Sequence, residues 1–467
     1  ITSYISKAIK PTKSTMTNSR PLSVAETSSA YKHILNVYLS VSVSASLKHP
    51  TKTTILPSQL LAAVKPIVLG NPALAALLQV HDDKYYEVIA DKVDLAKNIV
   101  WREQSDLDTL ETHVCRQLSE QFPNLDSVPG WRLWVTPLIS GEVRLIFFFH
   151  HSLFDGTSAQ DFLVKLTENL NLQAESLVKD DSVDYVLEIP SSMEPVPSFE
   201  RLLGLKDLRL TGPVKGFTAP DDANTAFWAG TLVPNPFDKP VLTKSLYSTI
   251  SAEDLKKLVA KTKQHKTSIT SVFSAAVLYS LQKALQARGK HYPKATCTIP
   301  RNTRSFIKGI EKYGETPYGD FVSSISVEST ATNIPDLWKD AAEIRNVIQG
   351  YIDRGVEDAT NEFINVAGDQ RQLYERRVGE ARTFSVEVST LLVSNRPANT
   401  NEWSLDNFRF LQGISSEGPP ILCSAASYVN GPLVLSYSYA DETVGDPSIV
   451  EDTAKEFDNT ITALILS

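Results

Sequence analysis

Residues 143–149 form an apolar run of β-branched and aromatic side chains that a single arginine interrupts. A run of this kind predicts a strand that is buried on both faces of its sheet. Two histidines, His150 and His151, follow directly, and Asp155 and Gly156 come shortly after them. This combination rarely occurs at an ordinary strand-to-helix corner. The sequence therefore places imidazole chemistry at the end of a buried strand.

The spacing of these residues fits proton transfer. Histidine can accept a proton from a hydroxyl or an amine near neutral pH and pass it on. Asp155 either folds back beneath the ring of His151 or pairs with a distant arginine, and Gly156 is expected to let the backbone turn where a Cβ would clash. The residues from 157 to 170 predict an amphipathic helix with a polar N-terminus. The alternative is a plain corner in which the histidines only hydrogen-bond the turn.

The pattern His151-x-x-x-Asp155-Gly156 after an apolar strand resembles the active-site signature of the chloramphenicol-acetyltransferase-like acyltransferases. That superfamily includes peptide-synthetase condensation domains, plant BAHD acyltransferases and fungal alcohol O-acetyltransferases. Further segments are similar to signatures of the fungal group and occur in the same order: Arg20-Pro21-Leu22 with Glu26, Pro300-Arg301-Asn302-Thr303-Arg304, Gly319-Asp320-Phe321-Val322, Val393-Ser394-Asn395, and Trp403 with Phe410 and Gln412. The resemblance covers residues 20 to about 440, which is nearly the whole chain.

The resemblance implies an α/β fold of two similar chloramphenicol-acetyltransferase-like sandwich halves, with mixed sheets and a substrate tunnel between them. It also implies an acyl-CoA-dependent acyltransferase, of the acetyl-CoA:alcohol O-acetyltransferase type. His151 would be the general base, which takes the proton of the acceptor hydroxyl and returns it to the CoA thiolate. His150 would support it through packing and hydrogen bonds. Acyl-CoA is then a co-substrate, and no cofactor and no metal are expected.

Three further residues receive roles from the same resemblance. Asp155 is expected to point away from the substrates and to pair with an arginine from the second half. Arg304 matches that arginine, and Arg301 is the second choice. Ser394 and Asn395 are the candidate donors to the tetrahedral oxyanion. The Leu-Gly pair that follows in the family is replaced here by arginine and proline.

Several functions stay open at this point. A histidine base also serves an amine, so an N-acetyltransferase acting on a lipid-like or sphingoid amine is one alternative. A condensation-type enzyme that forms amides or esters in secondary metabolism is another, although the chain shows no carrier or adenylation module. A non-catalytic binding protein that kept the fold is the third.

Composition narrows the class of protein. The chain has 467 residues, 42% of them hydrophobic and 21% charged, as in globular domains. Its net charge of −8 provides no basic surface for nucleic acid. Three cysteines at wide spacing indicate a reducing compartment and no disulfide framework. We expect a cytoplasmic monomer whose partners are an acyl-CoA and a small alcohol or amine.

Periodicity and proline content divide the chain into four parts. Residues 1–19 are a basic segment, which is a transit peptide, a membrane-surface helix at the endoplasmic reticulum or a lipid droplet, or a first helix lying on the domain. Residues 20–185 form the N-terminal half, and 186–225 is a proline-punctuated connection. Residues 226–467 form the C-terminal half. Cys115 is expected on a helix, with its side chain in the core of the protein.

Overall fold

A computed structural model describes residues 18–82, 84–172, 184–204, 226–355, 370–392, 402–428 and 430–466. The strands, numbered in chain order, are β1 (Ser19–Pro21), β2 (Val41–Lys48), β3 (Ala76–His81), β4 (Lys84–Ile89), β5 (Lys92–Asp94), β6 (Ile99–Trp101), β7 (Trp131–Pro137), β8 (Val143–Phe149), β9 (Val186–Glu188), β10 (Lys244–Ile250), β11 (Ala295–Asn302), β12 (Val322–Ser329), β13 (Val386–Leu392), β14 (Ser404–Gln412), β15 (Ile421–Ser427) and β16 (Leu433–Tyr439). The α-helices are α1 (Val24–Ile34), α2 (Pro57–Gly70), α3 (Leu107–Leu118), α4 (Gly156–Leu172), α5 (Phe199–Leu202), α6 (Ala252–Gln264), α7 (Ile269–Gln286), α8 (Ile334–Arg354), α9 (Gln370–Arg377), α10 (Asp441–Val444) and α11 (Ser448–Leu466).

The first sheet has β8 near its centre, in the order β14-β2-β8-β7-β6 within the described residues. Its neighbours pair antiparallel, except for β6 and β7, which pair parallel. All seven residues of β8 are buried, as the apolar run predicted. Phe147 and Phe149 pack into the main core with α4, whereas Ile146 and Phe148 pack beneath α3 on the other face. The active-site motif therefore begins at the end of a rigid, doubly covered strand.

Arg144, the polar interruption of that strand, is fully buried. Its guanidinium donates to Ser44 Oγ at 2.7 Å and to the backbone carbonyl of Asn407 at 2.6 Å. Burial lowers the pKa of Arg144 to about 10. Because a buried cation is costly unless it is well hydrogen-bonded, these contacts explain how the strand tolerates an arginine. They also attach β14 to the first sheet.

The second sheet has the order β10-β16-β15-β13-β11-β12 in the described part of the chain. The pairs β11–β13 and β13–β15 are parallel, and the other pairs are antiparallel. Helix α7 packs against this sheet and against α8 and α11, and its apolar residues form the centre of a separate core. The two lobes and their mixed sheets confirm the predicted fold class. Cys115 lies on α3 in a buried cluster, as expected.

Strand β14 departs from the predicted division of the chain. It lies far inside the predicted C-terminal half, yet it pairs antiparallel with β2 of the first sheet. The exchange ties the two lobes together, and no local periodicity signals it because the partner strands are more than 350 residues apart. The predicted boundaries near 185 and 225 stay predictions, since 173–183 and 205–225 lie outside the described residues, as do 1–17 of the basic segment.

Candidate active site

His150 begins the loop after β8 and points into the protein interior. Its Nδ1 accepts a hydrogen bond from the backbone N–H of Ser152 at 3.1 Å, and its ring lies 4.5 Å from that of His33. Burial, together with His33 and His151, holds the pKa of His150 well below its usual value. This neutral, buried ring has the supporting position that the sequence predicted for it.

His151 faces a cavity between the two lobes. Its side chain keeps 24% of its exposure, and its Nδ1 lies 3.5 Å from Oδ2 of Asp320. Burial lowers the pKa of His151, but the carboxylates of Asp320 and Asp155 and the ring's own backbone carbonyl outweigh it and raise the pKa. His151 is thus a partly exposed imidazole with an acidic neighbour.

Asp155 is buried and surrounded by hydrogen-bond donors. Oδ1 accepts from the backbone N–H of Ser158 at 2.9 Å and from its hydroxyl at 2.8 Å, which caps the N-terminus of α4. Oδ2 accepts from the backbone N–H of Phe321 at 3.2 Å. Although burial alone would raise the pKa of Asp155, Arg304 and the donors of Ser158 hold it below the usual range. A carboxylate so engaged is a structural group and a poor base.

Arg304 makes the predicted pair with Asp155. Nη1 donates to Oδ2 at 2.7 Å and Nη2 donates to Oδ1 at 3.1 Å, so the contact is bidentate. Nε and Nη2 also donate to the carbonyl of Pro317 at 3.0 and 2.9 Å. The side chains retain only 9% and 2% of their exposure. Arg301, the second choice, instead donates from Nε to Ser323 Oγ at 3.3 Å.

Gly156 stands where a Cβ would clash, as predicted, but the turn is not the reason. It does not have a positive φ, so the turn itself does not require glycine. A Cβ at this position would lie 2.9 Å from Cδ1 of Leu391 on β13. Gly156 therefore permits the second lobe to pack closely against the start of α4.

The cavity beside His151 has a volume of about 280 Å³. Both lobes line it: the first contributes the motif loop and α1, and the second contributes β11, β12 and β13. It corresponds to the predicted tunnel between the halves. Its floor carries a hydrogen-bonded chain in which Tyr38 Oη donates to Gln412 Oε1 at 2.9 Å and Gln412 Nε2 donates to Glu387 Oε1 at 2.7 Å.

Asp320, Tyr38 and Glu387 are among the cavity residues to which the sequence pattern assigned no role. Asp320 lies within the segment Gly319-Asp320-Phe321-Val322, which the resemblance identified. The available signal was its position directly before the buried Phe321 and the start of β12. Tyr38 and Glu387 carry no local motif, because only the packing of the two lobes brings them to the cavity. Burial raises the pKa of Glu387, opposed mainly by the hydrogen bond from Gln412. Ser394 and Asn395 lie outside the described residues.

The N-terminal signature around Arg20 contacts the motif loop. Arg20 forms ion pairs with Glu26 at 2.7 Å and with Glu87 at 2.5 Å. Ser23 and Glu26 form a capping box at the start of α1. The backbone carbonyl of Glu26 then accepts a hydrogen bond from Ser152 Oγ at 2.8 Å. This signature therefore attaches the motif loop to the start of α1.

Among the described residues, no cluster of three or more histidine, cysteine or acidic side chains is arranged to hold a metal ion. None of the described helices combines the length and the apolar character needed to cross a bilayer.

The chain shares its two-lobed fold with acyltransferases of known structure. Solved structures similar to the chain include the trichothecene 15-O-acetyltransferase TRI3 from Fusarium sporotrichioides, with a TM-score of 0.64, 12% identity and coverage of 95% of each chain. The first condensation domain of the calcium-dependent antibiotic synthetase also has a TM-score of 0.64, with 12% identity and coverage of 96% of this chain and 97% of the other.

Sequence comparison identifies the family. The alcohol acetyltransferase family model matches residues 97–461, so the chain belongs to that family. A probable alcohol acetyltransferase, FCK4 of Fusarium pseudograminearum, is 21% identical over 440 residues and covers 88% of each chain. The protein is therefore an acyltransferase, and its substrates are an acyl donor and an acceptor.

Proposed function

We propose that this acyltransferase transfers an acetyl group from acetyl-CoA to the hydroxyl of a small alcohol, with His151 as the general base. One observation carries the proposal. His151 is the imidazole that lines the cavity between the two lobes, whereas His150 is buried. Asp155 already accepts hydrogen bonds from Arg304, Ser158 and Phe321, so it is not available to take a proton from a substrate. Of the motif's ionisable groups, His151 alone combines access to substrates with the capacity to exchange a proton.

The chemistry needs no acyl-enzyme. His151 Nε2 takes the proton of the acceptor hydroxyl as that oxygen forms a bond to the thioester carbonyl carbon. The tetrahedral intermediate then collapses, the carbon–sulfur bond breaks, and the imidazolium returns its proton to the CoA thiolate. An ester and free CoA are the products. Holding both substrates at one imidazole lowers the entropic part of the barrier.

An amine acceptor is the second candidate, because two carboxyl groups, Asp320 and Glu387, line the cavity and would attract an ammonium group. That attraction favours binding, but transfer requires the neutral amine, whereas an alcohol reacts from its ordinary protonated form. The alcohol is therefore the better match to a single histidine base. A carrier-protein thioester as donor is the third candidate, supported by the likeness to condensation domains in fold alone.

Thiol release from acetyl-CoA by the full chain tests the proposal. The assay is run without acceptor, with a panel of primary and secondary alcohols, and with sphingoid and short-chain amines, and products are identified by mass spectrometry. We expect acceptor-dependent release and an acetyl ester. His151→Ala should lower turnover roughly 10²–10⁴-fold while the melting temperature stays near that of the native protein.

Three outcomes contradict the proposal. A folded His151→Ala variant that keeps most of its transfer rate rules out the base assignment. Amide products with amines, and no ester with any alcohol, would select the second candidate. Activity that appears only with an acyl-carrier thioester would select the third.

A further inference from the structure

We infer that Asp320 is a positioning residue for His151, which orients the ring by holding a proton on Nδ1 and leaves the Nε2 lone pair for the substrate. The inference rests on the proposed role of His151 as base and adds a residue to it. Asp320 comes from the second lobe, so the base would be completed only when the two lobes are joined.

The burial of Asp320 gives the first argument. The residue retains 6% of its exposure, and a buried carboxylate is costly unless it is paired. Among the described residues, the ion-pair partner of Asp320 is His151, at 3.5 Å between Oδ2 and Nδ1. That Nδ1 is itself buried and makes no well-formed hydrogen bond within the described part of the chain, although the ring's own backbone carbonyl also acts on it. Each group therefore meets the need of the other.

The backbone on either side of Asp320 is fixed to the first lobe. The N–H of Gly319 donates to Ser158 Oγ at 3.3 Å, and the N–H of Phe321 donates to Asp155 Oδ2 at 3.2 Å. One residue further back, Tyr318 Oη donates to Asp161 Oδ2 at 3.0 Å. These contacts to α4 and to Asp155 hold the carboxylate of Asp320 beside the motif loop.

The distance of 3.5 Å is that of an ion pair and exceeds a well-formed hydrogen bond. Such bonds in substrate-free sites commonly tighten when the substrate binds. A histidine whose one nitrogen donates to a carboxylate keeps a defined tautomer and orientation, and its other nitrogen becomes more basic. Asp320 can supply both effects from its present position.

Other groups also act on the His151 ring and must be separated from Asp320. Asp155 lies on the same loop, Glu387 is on β13, and His150 precedes it in the chain. The phenol ring of Tyr38 lies 6.0 Å away. Asp155 is neutralised by Arg304, and Glu387 accepts from Gln412. Asp320 provides the carboxylate within ion-pair distance of His151, so its removal leaves the ring without that partner.

The test is a direct titration of His151 by NMR in the full chain labelled with ¹³C and ¹⁵N at histidine. The chain has 8 histidines, and the His151 signal is assigned by its loss in His151→Gln. We expect Asp320→Asn to lower the pKa of His151 and to mix its tautomers. Asp320→Glu, which keeps the charge, should retain most of the shift. Asp441→Asn is the matched control, because it removes a carboxylate of the second lobe that pairs with Lys244 and does not line the cavity, and it should leave the titration unchanged.

Kinetics supply the second readout. Asp320→Asn should lower kcat roughly 10–100-fold with little change in KM for acetyl-CoA. The acid limb of the pH–rate profile should move to lower pH, since a less basic His151 is deprotonated at lower pH. A residue that acted only in packing would change neither the limb nor the tautomer.

A folded Asp320→Asn variant with an unchanged His151 titration and an unchanged pH–rate profile would overturn the inference. If Asp320→Asn does not fold, Asp320→Ser and Asp320→Glu decide the same question through the same titration. The titration needs no turnover, so it distinguishes failure of this inference from failure of the proposed function. An absence of acetyl transfer in the native chain would contradict the latter alone.

Discussion

The pair of Asp155 and Arg304 should contribute a large coupling energy between the lobes. Both side chains are almost fully buried, and their contact is bidentate. Removing one member of such a pair leaves an uncompensated buried charge, which costs about 3–5 kcal/mol. Arg304→Gln should fall at the lower end, because Ser158 and Phe321 still donate to Asp155. Asp155→Asn should fall at the upper end, since its amide presents hydrogens to the N–H groups of Arg304.

The assay is a double-mutant cycle on unfolding and on acetyl transfer. The double variant contains two neutral amides that can hydrogen-bond each other, so its loss should be smaller than the sum of the single losses by about 2 kcal/mol. Lys244 and Asp441 provide the control, because their nitrogen–oxygen distance is 2.6 Å while both side chains are half-exposed. The same cycle there should yield no more than about 0.5 kcal/mol. Strictly additive losses at Asp155 and Arg304 would refute the argument.

The coupling should also depend on pH in a defined direction. Arg304 and Ser158 hold the pKa of Asp155 below its unfolded value despite burial, so the stabilisation is present above that unfolded value and is lost as pH falls through the folded pKa. From about pH 6 to pH 8 the coupling energy should therefore be constant. A coupling that vanished within this range would indicate that another group titrates in the contact.

Two further predictions concern the motif loop and the donor. His150→Ala should lower the melting temperature, because it removes a buried ring that packs against His33 and accepts from Ser152, yet it should keep measurable activity, since His150 does not line the cavity; complete loss of transfer in a folded variant would contradict this. Acetyl transfer should survive prolonged treatment with a chelator, because the proposed steps use only His151 and the two substrates; strong inhibition that zinc reverses would contradict the proposal.

Local pattern was sufficient for the elements that carry the motif. The apolar run of β8 and the polar start of α4 depend on neighbours in sequence, so strand, loop and helix were predictable there. The partner of Asp155 was predictable for a different reason: the resemblance supplied an arginine, and a buried carboxylate needs one. Gly156 shows the limit of local argument, because the side chain that demands glycine, Leu391, belongs to the other lobe.

The features that escaped prediction all depend on pairing between distant parts of the chain. Strand β14 carries an ordinary strand composition, and nothing within it indicates that β2 is its neighbour. Gln412 at its end reaches the cavity only because of that pairing, and it then orders Tyr38 and Glu387 on the floor. The shape of the cavity therefore depends on this long-range pairing, which is why the identity of the acceptor could not be derived from sequence.

A backbone hydrogen bond connects the ion pair directly to the segment that carries Asp320. Asp155 Oδ2 accepts from Arg304 and also from the N–H of Phe321, the residue after Asp320. Loss of the carboxylate would therefore weaken one of the contacts that hold Asp320 beside His151, in addition to weakening the contact between the lobes. Asp155→Asn should then reduce the rate of transfer more than its effect on stability alone requires. Arg304→Gln, which leaves that hydrogen bond in place, should reduce the rate less. An equal loss of rate in the two folded variants would show that Asp155 acts on the lobes as a whole and not on the position of Asp320.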